Sequence, residues 1–500
     1  MKITFRTDSS LQIGSGHVMR CLNLADSLKN NGLQVTFSCI EHEGNLLSRI
    51  RDRGYIVNVM PPGKGSIKDE ELPYLYWLGK TEKEDAEEFC RLNKLADVVI
   101  VDHYALGSIW EQYVKNTLHC VIIAIDDLVR DHSANVVFDQ TLNRDPSEYT
   151  CQNRAFTGIK YSILSPDFSR YREHALDRSS LSTPPRVLVS FGGVDLPNAS
   201  LAVVKELVKD TKFHITVLLS KISPSYAEVV SFCNQHSQVK HLDFVTHMAE
   251  LMHHHDIAIG APGGSSWERM CMGLPTVLIP IAENQKNNCI ALAQSGVAVS
   301  ISLDTIDTKL SSAIEELMCD WNGFRNRAIK LCDGSGVYRI TNEILRLGES
   351  DIKPNSVDLV PAQLADVDLV YQWQILPETR KYALNSSPPS YAEHCSWMQS
   401  KLDSPSDHFF LIKGYVSEDR YGVVRIDRIK QSSYLVSIFL DPKFHGQGFA
   451  LAALQQLDCY FPNYTLHATI LPENAASQRL FERAGYRKIS DEKFIRKPIW

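Results

Sequence analysis

What this 500-residue chain lacks narrows its class first. It has no Cys-x-x-Cys pair: its 12 cysteines are scattered singly, the nearest two being Cys319 and Cys332. That excludes zinc-ribbon and dithiol chemistry and reads as small buried hydrophobes in a reducing compartment. It has no basic stripe or lysine run, and its formal net charge is -7, so no nucleic acid is expected among its partners. No apolar run reaches about 18 residues, the least that spans a membrane. The opening MKITFRTDSS lacks the apolar core of a secretion signal. A cytoplasmic chain with no membrane partner is expected. No repeat at a solenoid period is evident.

What is present is ordinary globular composition, 44% hydrophobic and 22% charged. At roughly 100–200 residues per domain the length suggests three domains, each large enough to bury a core. Two polar joints divide the chain, DRSSLSTPP (177–185) and GESDIKPNSVD (348–358). The expected domains are 1–176, 183–348 and 356–500. In the first, KITFRTD, QVTFSCI, DVVIVDHY and CVIIAIDD read as strands between amphipathic helices. The second repeats the scheme with RVLVSFGG, FHITVLLS, QVKHLDFV, IAIGAPGG, PTVLIPI and GVAVSIS. Such alternation implies parallel sheets covered on both faces, two Rossmann-like lobes with a cleft between them. The third block differs. LADVDLVYQWQ starts helical, a hairpin turns around Ser417–Asp419, and SSYLVSIFLD is a long strand. The fold class expected is α/β: two Rossmann-like lobes followed by a smaller α+β domain.

The stretch IGSGHVMRCLNLA places Gly14, Gly16, His17 and Arg20 where a strand hands over to a helix. Ligands of open α/β sheets gather beyond the strands' carboxyl ends. A helix N-terminus disfavours the imidazolium, which suits His17 as a general base acting on water; alternatively it only caps the helix. Arg20, one turn on, is placed to meet an anion. Asp102, Tyr104 and Asp126 end other strands and read either as solvated strand ends or as groups that orient a sugar or a water. In the second lobe, AIGAPGGSSWERMCMGLPTVLIPIAENQ carries a glycine turn opening a helix, an arrangement that attracts phosphate. The run HHH at 253–255 is not expected to bind metal, because successive helical side chains diverge by about 100°.

This run resembles the UDP-binding segment of two-lobed glycosyltransferases of the GT-B type. Together, GSGHVMRC, VDHY, IDD, SFGGVD and GGSSWERMCMGLP resemble a narrower group, the UDP-sugar hydrolases of pseudaminic acid synthesis, over about residues 1–345. Their substrate is UDP-2,4-diacetamido-2,4,6-trideoxy-β-L-altropyranose. The resemblance implies that His17 is the base for water displacing UDP at the anomeric carbon, with no metal. It also implies that UDP lies against Gly264, Ser265, Ser266, Glu268, Asn284 and Gln285, and that Gly192 and Gly193 face the cleft.

In the third block, SIFLDPKFHGQGFALAAL resembles motif A of the GNAT acetyltransferases, whose backbone cradles acetyl-CoA. The implied cosubstrate contacts are Ile438, Leu440, His445, Gly446, Gln447, Gly448, Phe449, Ala450 and, in ENAASQRLFERAGYRKI, Asn474. Two departures stand out. His445 occupies a position usually Gln or Arg. Phe481 occupies one where many members carry the tyrosine that protonates the leaving thiolate, leaving Tyr486, Ser477 or water as substitutes. Residues 373–398 resemble the sugar-facing front of acetyltransferases acting on nucleotide-linked amino sugars. The expected partners are therefore a UDP-linked amino sugar and acetyl-CoA, and the expected protein is bifunctional: N-acetylation, then hydrolytic release of UDP. A glycosyltransferase fused to an acetyltransferase, and a non-catalytic nucleotide-sugar-binding module, are the alternatives.

Overall fold

A computed structural model describes residues 1–63, 74–149, 154–348 and 353–499. Cys151 and residues 349–352 of the second joint lie outside them. Two compact units result, Met1–Thr341 and Asn342–Trp500. The division falls inside the helix Gly336–Leu347, ahead of the joint expected at 348.

The first unit holds two parallel sheets. β1 (Lys2–Thr7), β2 (Gln34–Ile40), β3 (Ile56–Met60), β4 (Val98–Asp102), β5 (Val121–Ile125), β6 (Val136–Asp139) and β7 (Arg154–Thr157) are ordered β3-β2-β1-β4-β5-β6-β7. The second sheet has β8 (Arg186–Ser190), β9 (His214–Leu218), β10 (Val239–Leu242), β11 (Ile257–Gly260), β12 (Thr276–Leu278) and β13 (Ala298–Ser300), ordered β10-β9-β8-β11-β12-β13. Both are doubly wound, and each reverses direction once: between β1 and β4, and between β8 and β11. Such switch points open crevices at the strands' carboxyl ends. His17 follows β1 and Asp102 ends β4, so the first crevice brings them together. Gly192-Gly193 follow β8 and Gly263-Gly264 follow β11, so the second crevice brings both glycine loops together.

The strands are Val/Ile-rich because helices cover both faces, and Val99, Ile100, Ile122 and Ile123 are fully buried. The helix Pro166–Leu176 lies before the joint that the sequence sets at 177–185, yet Phe168 and Ala175 pack with Leu188, Ala258 and Leu278 in the core of the second sheet. Its apolar face decides this, and Arg172 adds a bond from Nη2 to the Ile329 carbonyl at 3.0 Å.

The second unit is a mixed sheet of β14 (Val357–Pro361), β15 (His408–Gly414), β16 (Arg420–Lys430), β17 (Ser433–Leu440), β18 (Thr465–Thr469), β19 (Arg487–Lys488) and β20 (Lys493–Arg496), ordered β14-β15-β16-β17-β18-β20-β19. Its one parallel pair, β17 with β18, lasts from Ser433↔Thr465 to Leu435↔His467. Beyond that β17 runs on to Leu440, so the two strands part into a wedge. Helices pack on both faces, with Phe449, Leu454 and Leu457 on one and Val370, Trp373 and Met398 on the other.

Candidate active site

The loop after β1 turns at Gly14, whose φ of +79° only glycine adopts cheaply; its amide bonds to the Ser10 carbonyl at 2.9 Å. Gly16 opens the helix Gly16–Asn30. A Cβ at Gly14 or Gly16 would meet nothing within 4 Å, so the loop borders open space. His17 Nδ1 lies 2.6 Å from Asp102 Oδ1. Arg20 closes the same carboxylate as a fork, Nε to Oδ2 and Nη2 to Oδ1, each 2.6 Å. Burial would raise the Asp102 carboxyl; Arg20 and then His17 overcome this and hold it well below the usual carboxylate range. An ionised Asp102 fixes the proton of His17 on Nδ1 and leaves Nε2 as the acceptor.

Aromatic rings frame the imidazole. Tyr104 meets it edge-on at 4.7 Å, and Trp77 stacks on Tyr104 at 5.7 Å. The Trp77 indole N–H is buried with no acceptor among the described residues. Nothing in the sequence singled out Trp77, which closes a single 3₁₀ turn, Leu75–Trp77, too short to show periodicity.

Two expected contacts require correction. Arg20 does not stand ready for an anion, because its guanidinium is committed to Asp102. Asp126 does not face the crevice: fully buried, it accepts from Arg130 Nε at 2.8 Å and the Arg130 amide at 3.0 Å, with His132 Nε2 at 3.3 Å. His132, held between Asp126 and Glu111, rises to about 9, these acids overcoming its desolvation. The neighbouring Asp127 is the half-open carboxylate, 3.6 Å from Arg20 Nη1.

In the second sheet Gly192 adopts φ +90°, and a Cβ at Gly192, Gly263 or Gly264 would meet nothing within 4 Å. Gly193 has only side-chain atoms of Ser220 and Ile222 near van der Waals distance. The helix Ser265–Cys271 follows. Its first turn is tighter than expected. The Ser266 and Trp267 amides bond to the Gly263 and Gly264 carbonyls at 2.8 and 3.2 Å, and the buried Ser266 hydroxyl accepts from Arg269 at 3.0 Å. Ser266 therefore points inward rather than at a ligand, while Ser265 stays partly open. Glu268 is partly open too, and desolvation pushes it up to about 7 against the pull of Arg269. Asn284 is exposed, whereas Gln285 Oε1 accepts from the Ile281 amide at 2.9 Å and so shapes its own loop. Sequence reasoning missed an apolar edge: Leu196, Ile222 and Phe244, each about half exposed or more, follow β8, β9 and β10. Arg49, from the first lobe, lies over the Phe244 ring at 4.9 Å, so the carboxyl edges of the two sheets approach one another.

In the second unit Gly446 and Gly448 take φ +76° and +91°. His445, Gly446, Gln447 and Gly448 are exposed just ahead of the helix Phe449–Tyr460. A Cβ at Gly448 would stand 2.6 Å from Asn355 Nδ2. An exposed run of amides beside the parted strands fits a pyrophosphate carried on a long thioester arm. Ile438, Leu440 and Phe449 face the core with their side chains, Phe449 stacking on Tyr421 at 3.8 Å. Only their backbones are left for such a ligand. Ala450 is partly buried. Asn474 Oδ1 caps its helix by accepting from the Ser477 amide at 3.0 Å. Phe481 is buried edge-on to Tyr486 at 4.9 Å. The Tyr486 hydroxyl, pushed far up by burial and then by Asp458, belongs to the side of that carboxylate. A cavity of about 530 Å³ is lined by Trp373, Gln372, Arg420, Asp441 and Phe444, among others.

His253, His254 and His255 stand side by side without converging, and among the described residues no three metal-ligating side chains gather as a site. No helix of the described residues is long and apolar enough to cross a membrane.

Comparisons with known proteins follow this division. The Glycosyltransferase family 28 C-terminal domain matches residues 188–330, and the Acetyltransferase (GNAT) domain matches residues 357–487. An uncharacterized protein of Methanocaldococcus jannaschii is 24% identical over 509 aligned residues, covering 98% of this chain and 97% of that protein. The UDP-2,4-diacetamido-2,4,6-trideoxy-beta-L-altropyranose hydrolase of Campylobacter jejuni is 26% identical over 305 residues, 60% of this chain and 98% of its own. Among solved structures, the glycosyltransferase of kitacinnamycin shares the fold, with a TM-score of 0.51 at 15% identity over 69% of this chain and 98% of that one. The chain joins a GT-B-like, UDP-sugar-hydrolase-like region to a C-terminal GNAT acetyltransferase domain.

Proposed function

We propose that the first unit hydrolyses UDP-2,4-diacetamido-2,4,6-trideoxy-β-L-altropyranose to UDP and the free sugar, and that the second acetylates the 4-amino precursor with acetyl-CoA. The observation that carries the first half is the bond between His17 Nδ1 and Asp102, which leaves Nε2 as a base at one switch point. Two open glycine loops at the other switch point are suited to a diphosphate. Water gives a proton to Nε2 as its oxygen bonds to the anomeric carbon; the bond from that carbon to the β-phosphate oxygen breaks, and UDP leaves with the electron pair. The apolar edge at Ile222 and Phe244 offers a flat surface for the base of the nucleotide. The relative from Campylobacter jejuni supports the substrate class. In the second unit the amine displaces the thiolate from the acetyl carbon. Phe481 has no proton to give that thiolate, so the proton comes from elsewhere.

The match to glycosyltransferase family 28 favours a second reading, transfer of the sugar to a hydroxyl. Incubation with the nucleotide sugar alone separates the two. A hydrolase releases UDP at its full rate without an acceptor; a transferase releases it slowly until an acceptor is supplied. The halves are separable in the same assay. Gly448→Glu puts a carboxylate where Asn355 already stands and where a pyrophosphate is expected, and glycine alone relaxes at φ +91°. Acetyl transfer is expected to fall below detection while UDP release stays within about twofold of wild type, as for independent sites that share no residues. Parallel progress curves with acetyl-CoA and with the nucleotide sugar check this.

A further inference from the structure

We propose that Arg269, buried under the glycine loops of the second sheet, is the positioning residue and counter-charge for the diphosphate of the bound nucleotide. The inference rests on the nucleotide reading above. Gly260 ends β11 with Ser190 of β8 as its Cα partner. A Cβ at Gly260 would stand 2.2 Å from the Ser190 carbonyl and 2.6 Å from Arg269 Nη1. The glycine thus makes room for a guanidinium at the point where β8 and β11 hand over to their two loops. Nη2 donates to the Ala261 carbonyl at 2.7 Å and to the Ser266 hydroxyl at 3.0 Å, tying the two ends of the 261–266 turn to one planar group.

The charge on that group is poorly matched inside the protein. Arg269 is 2% exposed, and its Nε has no acceptor among the described residues. Arg6, equally buried, is held by both Asp8 and Asp85; no carboxylate of the described residues stands within ion-pair distance of Arg269. Desolvation accordingly lowers it to about 10, opposed only by Glu268. A buried cation without a carboxylate destabilises the empty fold and is compensated when a polyanion enters. It also favours the charge that grows on the leaving diphosphate as the bond to the sugar breaks.

The test compares UDP with uridine by calorimetry on the full chain, in wild type, Arg269→Met and Arg269→Lys. Loss of a charged donor is expected to weaken UDP about 10–100-fold in Arg269→Met. Uridine, which lacks the phosphates, keeps its affinity, and Arg269→Lys recovers most of the loss. Unchanged UDP affinity in a folded Arg269→Met overturns the proposal, and so does an equal loss for both ligands, which marks a purely structural role. A wild type that binds uridine as tightly as UDP overturns the nucleotide reading itself, and is seen before any variant is made. Should Arg269→Met not fold, Arg269→Gln keeps a donor without the charge, and the same pattern of loss decides.

Discussion

His17→Asn lowers UDP release from the nucleotide sugar by about 10²–10⁴-fold, the usual contribution of a general base. The variant removes little else. An asparagine amide still donates to Asp102, so the carboxylate and Arg20 keep their partners and the helix Gly16–Asn30 keeps its start. What disappears is the basic nitrogen on the open side. Because the nucleotide is assigned to the other sheet, the loss falls on kcat and leaves KM and the affinity for UDP nearly unchanged. Steady-state kinetics with calorimetry on the same preparation check both. Unaltered kcat removes His17 from the reaction, and a loss confined to KM makes it a binding group.

The second large effect is expected at Asp102. Both of its oxygens are occupied, by His17 and by the two nitrogens of Arg20. Asp102→Asn leaves the Arg20 guanidinium, only 13% exposed, without its carboxylate; breaking a buried pair in this way costs about 3–5 kcal/mol. The amide also offers a donor as readily as an acceptor, so the proton of His17 is no longer held on Nδ1, and activity falls beyond what the lost stability explains. The pH dependence has a definite sign. The folded carboxyl lies below its unfolded value near ~3.9. Its stabilisation is therefore complete above about pH 4 and is lost as pH falls toward the depressed value. The stability gap between wild type and Asp102→Asn should be constant from neutral pH down to about 5 and narrow below about 4. Urea titrations at several pH values measure it. A gap independent of pH would mean that Asp102 is not ionised in the fold.

Much of the architecture was legible because the strands of a parallel sheet are continuous apolar runs. β2 and β11 lie within QVTFSCI and IAIGAPGG. β3 and β6 escaped for opposite reasons. IVNVM is an edge strand with exposed positions and weak alternation, and VVFD follows β5 with no intervening helix to mark it. The site was half legible. A histidine at a strand-to-helix turn is visible in a one-dimensional chain, and so is an aspartate at a strand end. That they share a hydrogen bond across 85 positions depends on β1 lying beside β4, which no local spacing encodes. The same cause explains the error at Arg20: the helical spacing places it one turn beyond His17, but the partner waiting there comes from another strand. Ser266 misled because a hydroxyl at a helix start usually faces outward, whereas here the buried guanidinium three residues on claims it. Trp77 and Phe244 carry no pattern at all and become readable only as neighbours.

The most direct measurement runs the reaction in H₂¹⁸O with the nucleotide sugar as sole substrate and locates the label by mass spectrometry. An imidazole that activates water toward the anomeric carbon delivers one ¹⁸O to the released sugar and none to UDP. Label in the β-phosphate of UDP, or no turnover until an acceptor is added, would contradict the assignment of His17 and its crevice.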